Sequence, residues 1–513
     1  MNNRRFAIGI GILALIAIFA RILPAPRTID DAFITFRYAR NILAGNGFIF
    51  NIGDPVLGTS TPLYTLVLVF LGSFLGGSEA NFPQIAWIFN ALVDAATVIL
   101  LVLIGQRLNL KWAGWASALA WSIAPFSVTF SIGGLETSTF VFLLIGTFYF
   151  YIRGILSISA LMAGLSVLTR PDGLLLIIPL IVHRISRSRR SKVGPIRRSE
   201  LLSLILPYGI WSVFAVYQFG SPIPHSVIAK SAAYQLESST ALIRLLQHYA
   251  TPFQGHLAFG TAWIGIGIFL FPFLFFVGAR KLFQHDDRVI PFALFPWFHF
   301  LAFSLANPLI FRWYLTPPLP FLFIFILVGL EDILEHISLK INPASIGRKI
   351  VPIFFVISIP AFLLLRDWQV HPDHGPDNPA PTMAWIELEL LYAQAANFLI
   401  SLPDWNVDSV VAAGDVGVIG YLTSAPILDL VGLNSSQSVS YYPLDKKAYS
   451  EFAYAIPEQL IADKRPDYVV FLEIYGRNTL LTNENFQQNY ELVNSLQTDI
   501  YGSNNMLIYQ LDN

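Results

Sequence analysis

Two adjacent acidic residues, Asp30 and Asp31, follow directly on the first apolar stretch of the chain. Neighbouring carboxylates can divide the work of a general base and of a charge or metal partner. Arg37 and Arg40 follow at helical spacing. The alternative is that one of the aspartates caps a helix that begins at Ala32, since aspartate is a common capping residue. The pattern indicates either a catalytic pair or a helix cap.

Four basic or titratable side chains are placed where they could hold a phosphate group: Lys230, His225, Arg170 and Arg312. Lys230 and His225 belong to a long segment between apolar stretches, whereas the two arginines lie at or near the ends of apolar stretches. For Arg312, which precedes Trp313, the alternative is a side chain that snorkels to the membrane interface from a helix end.

Composition excludes several classes of protein. Of the 513 residues, 55% are hydrophobic and only 13% are charged, whereas soluble domains carry roughly 25% charged residues. The formal net charge of −1 suggests no nucleic-acid partner. The chain has no cysteine, and therefore neither a disulfide nor a thiolate nucleophile. It also lacks a Gly-Lys-Ser/Thr phosphate loop and a His-x-x-x-His pair, which disfavours nucleotide-driven enzymes and zinc hydrolases.

Apolar stretches predict a polytopic α-helical membrane protein with about 11 transmembrane helices. The eleven predicted segments are 6–23, 84–105, 112–131, 137–153, 156–169, 173–186, 200–219, 257–278, 289–306, 314–331 and 350–365. The apolar stretch 62–76 is too short to span and is not counted. Residues 24–83 then form one large first extracytoplasmic loop with interfacial helices.

Basic residues predict the orientation, because they concentrate in short cytoplasmic loops. The segment 184–198 carries seven of them, and Arg4 with Arg5 marks the N-terminus as cytoplasmic as well. An odd number of spans places the C-terminal part outside. The expected organisation is a membrane domain over 1–366, a Pro-rich linker over 367–382 and a small extracytoplasmic soluble α/β domain over 383–513. The expected location is the cell membrane.

Several segments together resemble the glycosyltransferase C superfamily. The acidic pair is followed by a Thr-Ser-Thr-Pro-Leu turn at 59–63, as in the first luminal loop of these enzymes. Three further segments resemble the same group: GGLETS at 133–138, LTRPDGLL at 168–175 and FGSPIPHSVIAKS at 219–231. Residues 414–433 resemble the start of the soluble domain. The resemblance is closest to arabinofuranosyltransferase-like, and also mannosyltransferase-like, enzymes that use polyprenyl-phosphate sugars.

The resemblance implies a function and roles for residues. Asp30 or Asp31 would be the general base that deprotonates an acceptor hydroxyl, and the reaction would invert the anomeric carbon. Lys230 matches a lysine of the family, although His225 replaces the usual asparagine. Glu136, as well as Arg37, would assist the acceptor or a metal, yet Glu136 could instead only interact with a helix dipole. A divalent cation is possible, and the cofactor is otherwise unknown.

The implied partners are a polyprenyl-phosphate sugar as donor, a glycan, lipid or protein of the cell envelope as acceptor, and membrane lipid. Two other readings of the sequence remain. A membrane transporter or lipid flippase fits the number of helices equally well, although transporters commonly show internal repeats, and this sequence shows none. A non-catalytic membrane scaffold with a glycan-binding domain would make the aspartate pair dispensable.

Overall fold

The structure is a computed structural model, and it describes residues 3–190, 194–254, 259–341, 347–366, 368, 386–450 and 453–512. The predicted linker, residues 367–382, lies outside the described residues apart from Trp368. Nothing in the structure therefore bears on that prediction.

The part of the chain that precedes the linker is helical. Its α-helices are Asn3–Ile22, Asp30–Leu43, Pro62–Phe74, Phe82–Arg107, Ala113–Ile123, Pro125–Ile132, Thr137–Arg153, Leu156–Thr169, Leu174–Arg189, Arg198–Phe219, His225–Ala233, Thr240–Ala250, Ala262–His285, Ile290–Ala306, Leu319–Ile341 and Gly347–Arg366. Each of the eleven segments predicted to span the membrane is largely helical. In segment 112–131 the helix is broken at Pro125, whose ring nitrogen cannot donate a hydrogen bond.

Six described helices are long and apolar enough to cross a membrane: Arg4–Ile22, Phe82–Arg107, Arg198–Phe219, Ala262–His285, Asp287–Ala306 and Arg312–Ser338. The pair Ala113–Ile123 and Pro125–Ile132, bent by 44°, makes a seventh if it forms one span. The chain is therefore a multi-pass membrane protein. The number of eleven spans and the cytoplasmic N-terminus stay predictions.

Residues 24–83, which are predicted to form the first outer loop and keep that name below, contain two helices that pack on each other. Asp30–Leu43 is amphipathic, with polar and apolar faces, and most of its residues are buried. Pro62–Phe74 has 13 residues, which gives about 20 Å of helix, too short for the ~30 Å hydrocarbon layer. Buried Phe36, Tyr64 and Phe82 belong to the apolar core beneath these helices.

The C-terminal part is a small domain built on a five-stranded sheet of order β2-β1-β3-β5-β4. Its strands are β1 Val411–Ala413, β2 Ile427–Asp429, β3 Tyr468–Leu472, β4 Tyr490–Gln497 and β5 Asn505–Leu511. β1 lies parallel to β2 and β3, and β5 lies antiparallel to β3 and β4. Its α-helices are Ile386–Ser401, Gly417–Thr423, Glu458–Lys464, Glu473–Gly476 and Glu484–Asn489.

The first outer loop and the C-terminal domain share one hydrophobic core. Tyr38 and Phe50 of the loop are buried in the same cluster as Val418 and Ile427 of the domain. A glycine is required where the two parts touch. A Cβ atom on Gly417 would lie only 1.9 Å from the backbone carbonyl oxygen of Asp30 in the loop. Any larger residue at this position would therefore push the domain away from the loop.

Candidate active site

A cavity of about 610 Å³ lies where the first outer loop meets the ends of several helices. Parts of six stretches line it, together with Leu433 of the C-terminal domain: residues 31–35, 58–61, 135–136, 170–172, 226–236 and 303–314. The volume falls in the usual range for a small-molecule site, which is roughly 300–1,000 Å³. The cavity is therefore large enough for a sugar and a phosphate group.

Asp31 and Lys230 face each other across this cavity. Lys230 Nζ lies 3.7 Å from Asp31 Oδ2, and the two side chains are 23% and 34% exposed. Lys230 Nζ also lies 4.7 Å from the centre of the Phe311 ring, so the ammonium makes a cation–π contact. Burial lowers the pKa of Lys230, but Tyr314 and Asp31 outweigh burial and raise it. The cavity thus contains the carboxylate of Asp31 beside the protonated ammonium group of Lys230.

A second charged group lines another part of the wall. Arg170 Nη1 lies 3.0 Å from Glu136 Oε1, and Arg170 Nε lies 2.9 Å from Asp172 Oδ1. Burial raises the pKa of Glu136, although Arg170 opposes that effect. Because two carboxylates already neutralise Arg170, the guanidinium has little charge to offer a phosphate. The sequence placed Arg170 as a phosphate ligand, and the structure places it in the cavity wall as the centre of an ion-pair group.

Hydroxyl groups of the Thr-Ser-Thr turn form a third part of the wall. Thr59 Oγ1 lies 3.1 Å from Thr61 Oγ1, and both residues line the cavity with Ser60. The helix Pro62–Phe74 begins directly after them, and the N-terminus of a helix favours negative charge. In the sequence, this turn contributes to the resemblance but is not among the residues predicted to bind phosphate. A Thr-Ser-Thr run before a proline at a helix start was the signal for a polar helix N-terminus.

Asp30, unlike Asp31, does not line the large cavity and binds the C-terminal domain instead. Its carboxylate accepts hydrogen bonds from the backbone N–H groups of Val418, at 2.7 Å, and of Gly417, at 2.9 Å. It therefore caps the helix Gly417–Thr423 of the C-terminal domain. Burial, with the charge of Asp415, raises the pKa of Asp30, and the two N–H groups oppose the shift. The predicted pair is split between a cavity and a domain contact.

Arg37 also serves the domain contact in this structure. Its guanidinium donates to the carbonyl oxygens of Phe50 at 2.8 Å, Gly420 at 2.6 Å and Ala425 at 2.8 Å. The side chain is buried and stacks on the Phe50 ring at 4.4 Å. Against the expectation of an acceptor or metal contact, the structure does not bring Arg37 to the cavity.

Two further predicted residues lie outside the cavity lining. His225 begins the helix His225–Ala233, and its backbone N–H donates to the Leu57 carbonyl. Burial lowers the pKa of His225, and the charge of Asp54 opposes that shift. Arg312 begins a short 3₁₀ helix whose next residue, Trp313, lines the cavity instead. Their predicted contact with a donor phosphate stays untested.

The part of the chain that the structure describes contains no group of three or more His, Asp or Glu side chains arranged to hold a metal ion. The divalent cation suggested by the resemblance therefore stays a prediction.

The chain has the glycosyltransferase C fold. It is similar along 99% of its length to ArnT from Cupriavidus metallidurans bound to undecaprenyl phosphate, covering 98% of that chain with a TM-score of 0.57 at 12% identity. It also resembles the Archaeoglobus fulgidus oligosaccharyltransferase in its apo form. There the TM-score is 0.56 at 14% identity, over 91% of this chain and 70% of that one.

Sequence comparison adds two more specific likenesses. The chain is 29% identical over 232 residues to the terminal beta-(1->2)-arabinofuranosyltransferase of Mycobacterium tuberculosis, a match that covers 40% of this chain and 35% of the relative. The match thus spans about a third of that relative's length. Residues 385–509 match the family model of a domain of unknown function, DUF8728.

Proposed function

We propose that this protein is an inverting glycosyltransferase that moves a sugar from a polyprenyl-phosphate donor to a glycan, lipid or protein acceptor of the cell envelope, outside the cytoplasm. One observation carries the proposal: Asp31, Lys230 and the hydroxyl groups of 59–61 line one cavity at the membrane end of the first outer loop. ArnT, which has the same fold, was crystallised with undecaprenyl phosphate. The arabinofuranosyltransferase relative supports a transfer reaction.

The donor phosphate would bind to Lys230, with the Thr-Ser-Thr hydroxyls and the N-terminus of Pro62–Phe74 as further donors. Lys230 pairs with only one carboxylate in the structure, whereas Arg170 pairs with two. Lys230 is therefore the better source of positive charge for a departing phosphate. The apolar side of the cavity, with Phe303, Leu309 and Phe311, would receive the first part of the lipid chain.

Asp31 would act as the general base. In the proposed step the acceptor oxygen attacks the anomeric carbon, Asp31 takes the proton of that hydroxyl, and the bond from the anomeric carbon to the phosphate oxygen breaks. The electron pair of that bond leaves with the polyprenyl phosphate, which is a good leaving group. A single displacement of this kind inverts the anomeric carbon, because no covalent sugar intermediate forms. Asp30 is less suited, because both of its oxygens already accept backbone hydrogen bonds.

The donor sugar is proposed from the relative alone. Arabinofuranose is the first candidate because of the Mycobacterium tuberculosis enzyme, and mannose and other sugars follow, since one fold hosts many substrates.

Release of polyprenyl phosphate from a panel of polyprenyl-phosphate sugars tests the proposal directly. Purified protein is supplied with an envelope extract as acceptor, with and without a chelator. We expect release from one donor by the wild type and its loss in Asp31→Asn. Loss on chelation would add a metal to the site. No release from any donor by the wild type would overturn the proposal in favour of transport or of a scaffold role.

A further inference from the structure

A second, smaller compartment adjoins the cavity on the side of the C-terminal domain. It measures about 50 Å³, and its wall combines the loop, Tyr234, the segment 309–313 and six parts of the domain. Asp31, Tyr234 and Trp313 line both spaces. The compartment therefore lies beside the proposed base, and its lining does not include residues 59–61.

The domain supplies carboxyl groups to this compartment. Asp415 Oδ2 accepts from the hydroxyl of Tyr392 at 3.2 Å and of Tyr475 at 3.5 Å. Glu389 Oε1 accepts the backbone N–H of Asp30 at 2.9 Å. Glu389 Oε2 has no partner among the described residues, although only 6% of the residue is exposed.

A buried polar atom without a partner is destabilising, so a carboxyl oxygen without a partner in the wall of a compartment points to a ligand. Burial raises the pKa of Glu389 well above its usual value. A neutral Glu389 carboxyl donates one hydrogen bond. Burial, together with the charge of Asp31, raises the pKa of Asp415 to about 7. The wall thus offers hydrogen-bond acceptors and a hydrogen-bond donor. Vicinal hydroxyl groups of a sugar match this set, because each hydroxyl both donates and accepts.

Size and the surrounding rings narrow the ligand further. A water molecule needs roughly 10–15 Å³ of this kind of space, so the compartment admits only a few water-sized groups. A space of this size fits the hydroxyl-bearing edge of one sugar unit but not a whole disaccharide. Tyr454, Tyr475 and Tyr501 also line the compartment, and aromatic rings present apolar faces with a polar tip.

We propose that this compartment is a saccharide subsite on the acceptor side, in which Asp415 and Glu389 of the C-terminal domain bind hydroxyl groups of the acceptor sugar. This inference rests on the proposed function and narrows the acceptor to a glycan or a glycan-bearing lipid or protein. The C-terminal domain then belongs to the substrate site. The attacking hydroxyl would reach Asp31 from this side while the donor occupies the large cavity.

The test separates binding of the acceptor from binding of the donor. With the donor found in the release assay, kinetics are measured against a panel of pentose and hexose oligosaccharides of two to four units. We expect Asp415→Asn and Glu389→Gln each to raise the acceptor KM about 10-fold, because each substitution removes a hydrogen bond to a hydroxyl group of the acceptor. The donor KM should change little. Tyr475→Phe, which removes a single hydroxyl, should give a smaller rise.

Asp463→Asn is the matched control, since Asp463 belongs to the same domain and binds only exposed Tyr441 and Gln459 side chains. Proteolysis of each variant checks that the domain stays docked. An unchanged acceptor KM in both Asp415→Asn and Glu389→Gln, with an active wild type, would overturn the subsite and leave the proposed function standing. An inactive wild type would instead overturn the proposed function.

Discussion

Asp30 and Asp31 are neighbours in the chain, but they belong to two regions with different hydrogen bonding. At the domain contact, Asp30 and Arg37 bind backbone groups of the C-terminal domain. At the cavity, Asp31 is a third exposed and pairs with Lys230 at 3.7 Å. Satisfied polar groups fix a geometry, whereas polar groups left open to a cavity are available to a ligand.

Within one helix turn, Asp30 therefore positions the C-terminal domain, whereas Asp31 is available to a ligand in the cavity. The contact at Asp30 fixes the start of the helix Asp30–Leu43, and with it the direction of the Asp31 side chain. The same contact places Asp415 beside Asp31, because Gly417 lies two residues further along the chain from Asp415. A change at the contact is therefore expected to act on stability first, and a change at the cavity on turnover first.

The largest expected effect is that of Asp31→Asn. Loss of a general base costs about 10²–10⁴-fold in rate, so kcat should fall by at least about 10²-fold. The release assay measures this loss, and the C-terminal domain should resist protease as in the wild type. Asp30→Asn is the matched variant, and we expect it to weaken docking rather than to remove turnover at low temperature. Full activity of Asp31→Asn would exclude it as the base.

Next in size is Arg37→Ala, which breaks the domain contact. It removes the donor that Arg37 supplies to the carbonyl oxygens of Gly420 and Ala425, and unpaired buried groups cost about 1–3 kcal/mol each. The Phe50 carbonyl still accepts from Asn41 Nδ2. We expect a loss on the order of 3 kcal/mol, seen as faster proteolysis of the C-terminal domain. Arg37→Lys should not restore resistance, because an ammonium cannot reach three acceptors in a fixed fork. Wild-type resistance in both variants would contradict the docking role.

Much of the fold was predictable, because its signals are local. Apolar stretches predict the helices. The short β-branched runs at 407–414 and 467–473 are typical of strands and contain β1 and β3, since these patterns depend on near neighbours. The division between Asp30 and Asp31 was not predictable. It depends on a contact between Asp30 and Gly417, which are 387 residues apart.

Long-range contacts also account for the site residues that the sequence did not reveal. Glu389 occurs in an apolar helix, beside buried Leu388 and Tyr392, and that placement was the available signal. Its role depends on the Asp30 backbone N–H group, which no local pattern reports. Asp415 follows β1 closely, where an aspartate is equally typical of a turn. Lys230 was assigned from the resemblance, and the structure places it beside Asp31.

Lys230→Gln tests the cavity side at a smaller magnitude. Removing one charge that stabilises a leaving phosphate should lower kcat/KM for the donor about 30-fold, equivalent to ~2 kcal/mol. Acceptor KM and protease resistance should stay near the wild-type values. The control is Lys111→Gln, whose ion pair with Glu335 is largely exposed and is expected to contribute little. Equal donor kinetics in the two variants would remove Lys230 from the phosphate site.

The smallest expected effect is that of Arg40→Ala, at the rim of the domain contact. Arg40 donates to the Tyr421 carbonyl at 2.9 Å and lies 4.7 Å from the centre of the Tyr421 ring. An exposed cation–π contact is worth about 0.5–1 kcal/mol, so proteolysis should be only slightly faster and turnover unchanged. A loss as large as that of Arg37→Ala would show that the rim holds the domain as firmly as the buried contact. Asp30 would then be the remaining residue that distinguishes the buried domain contact from the cavity.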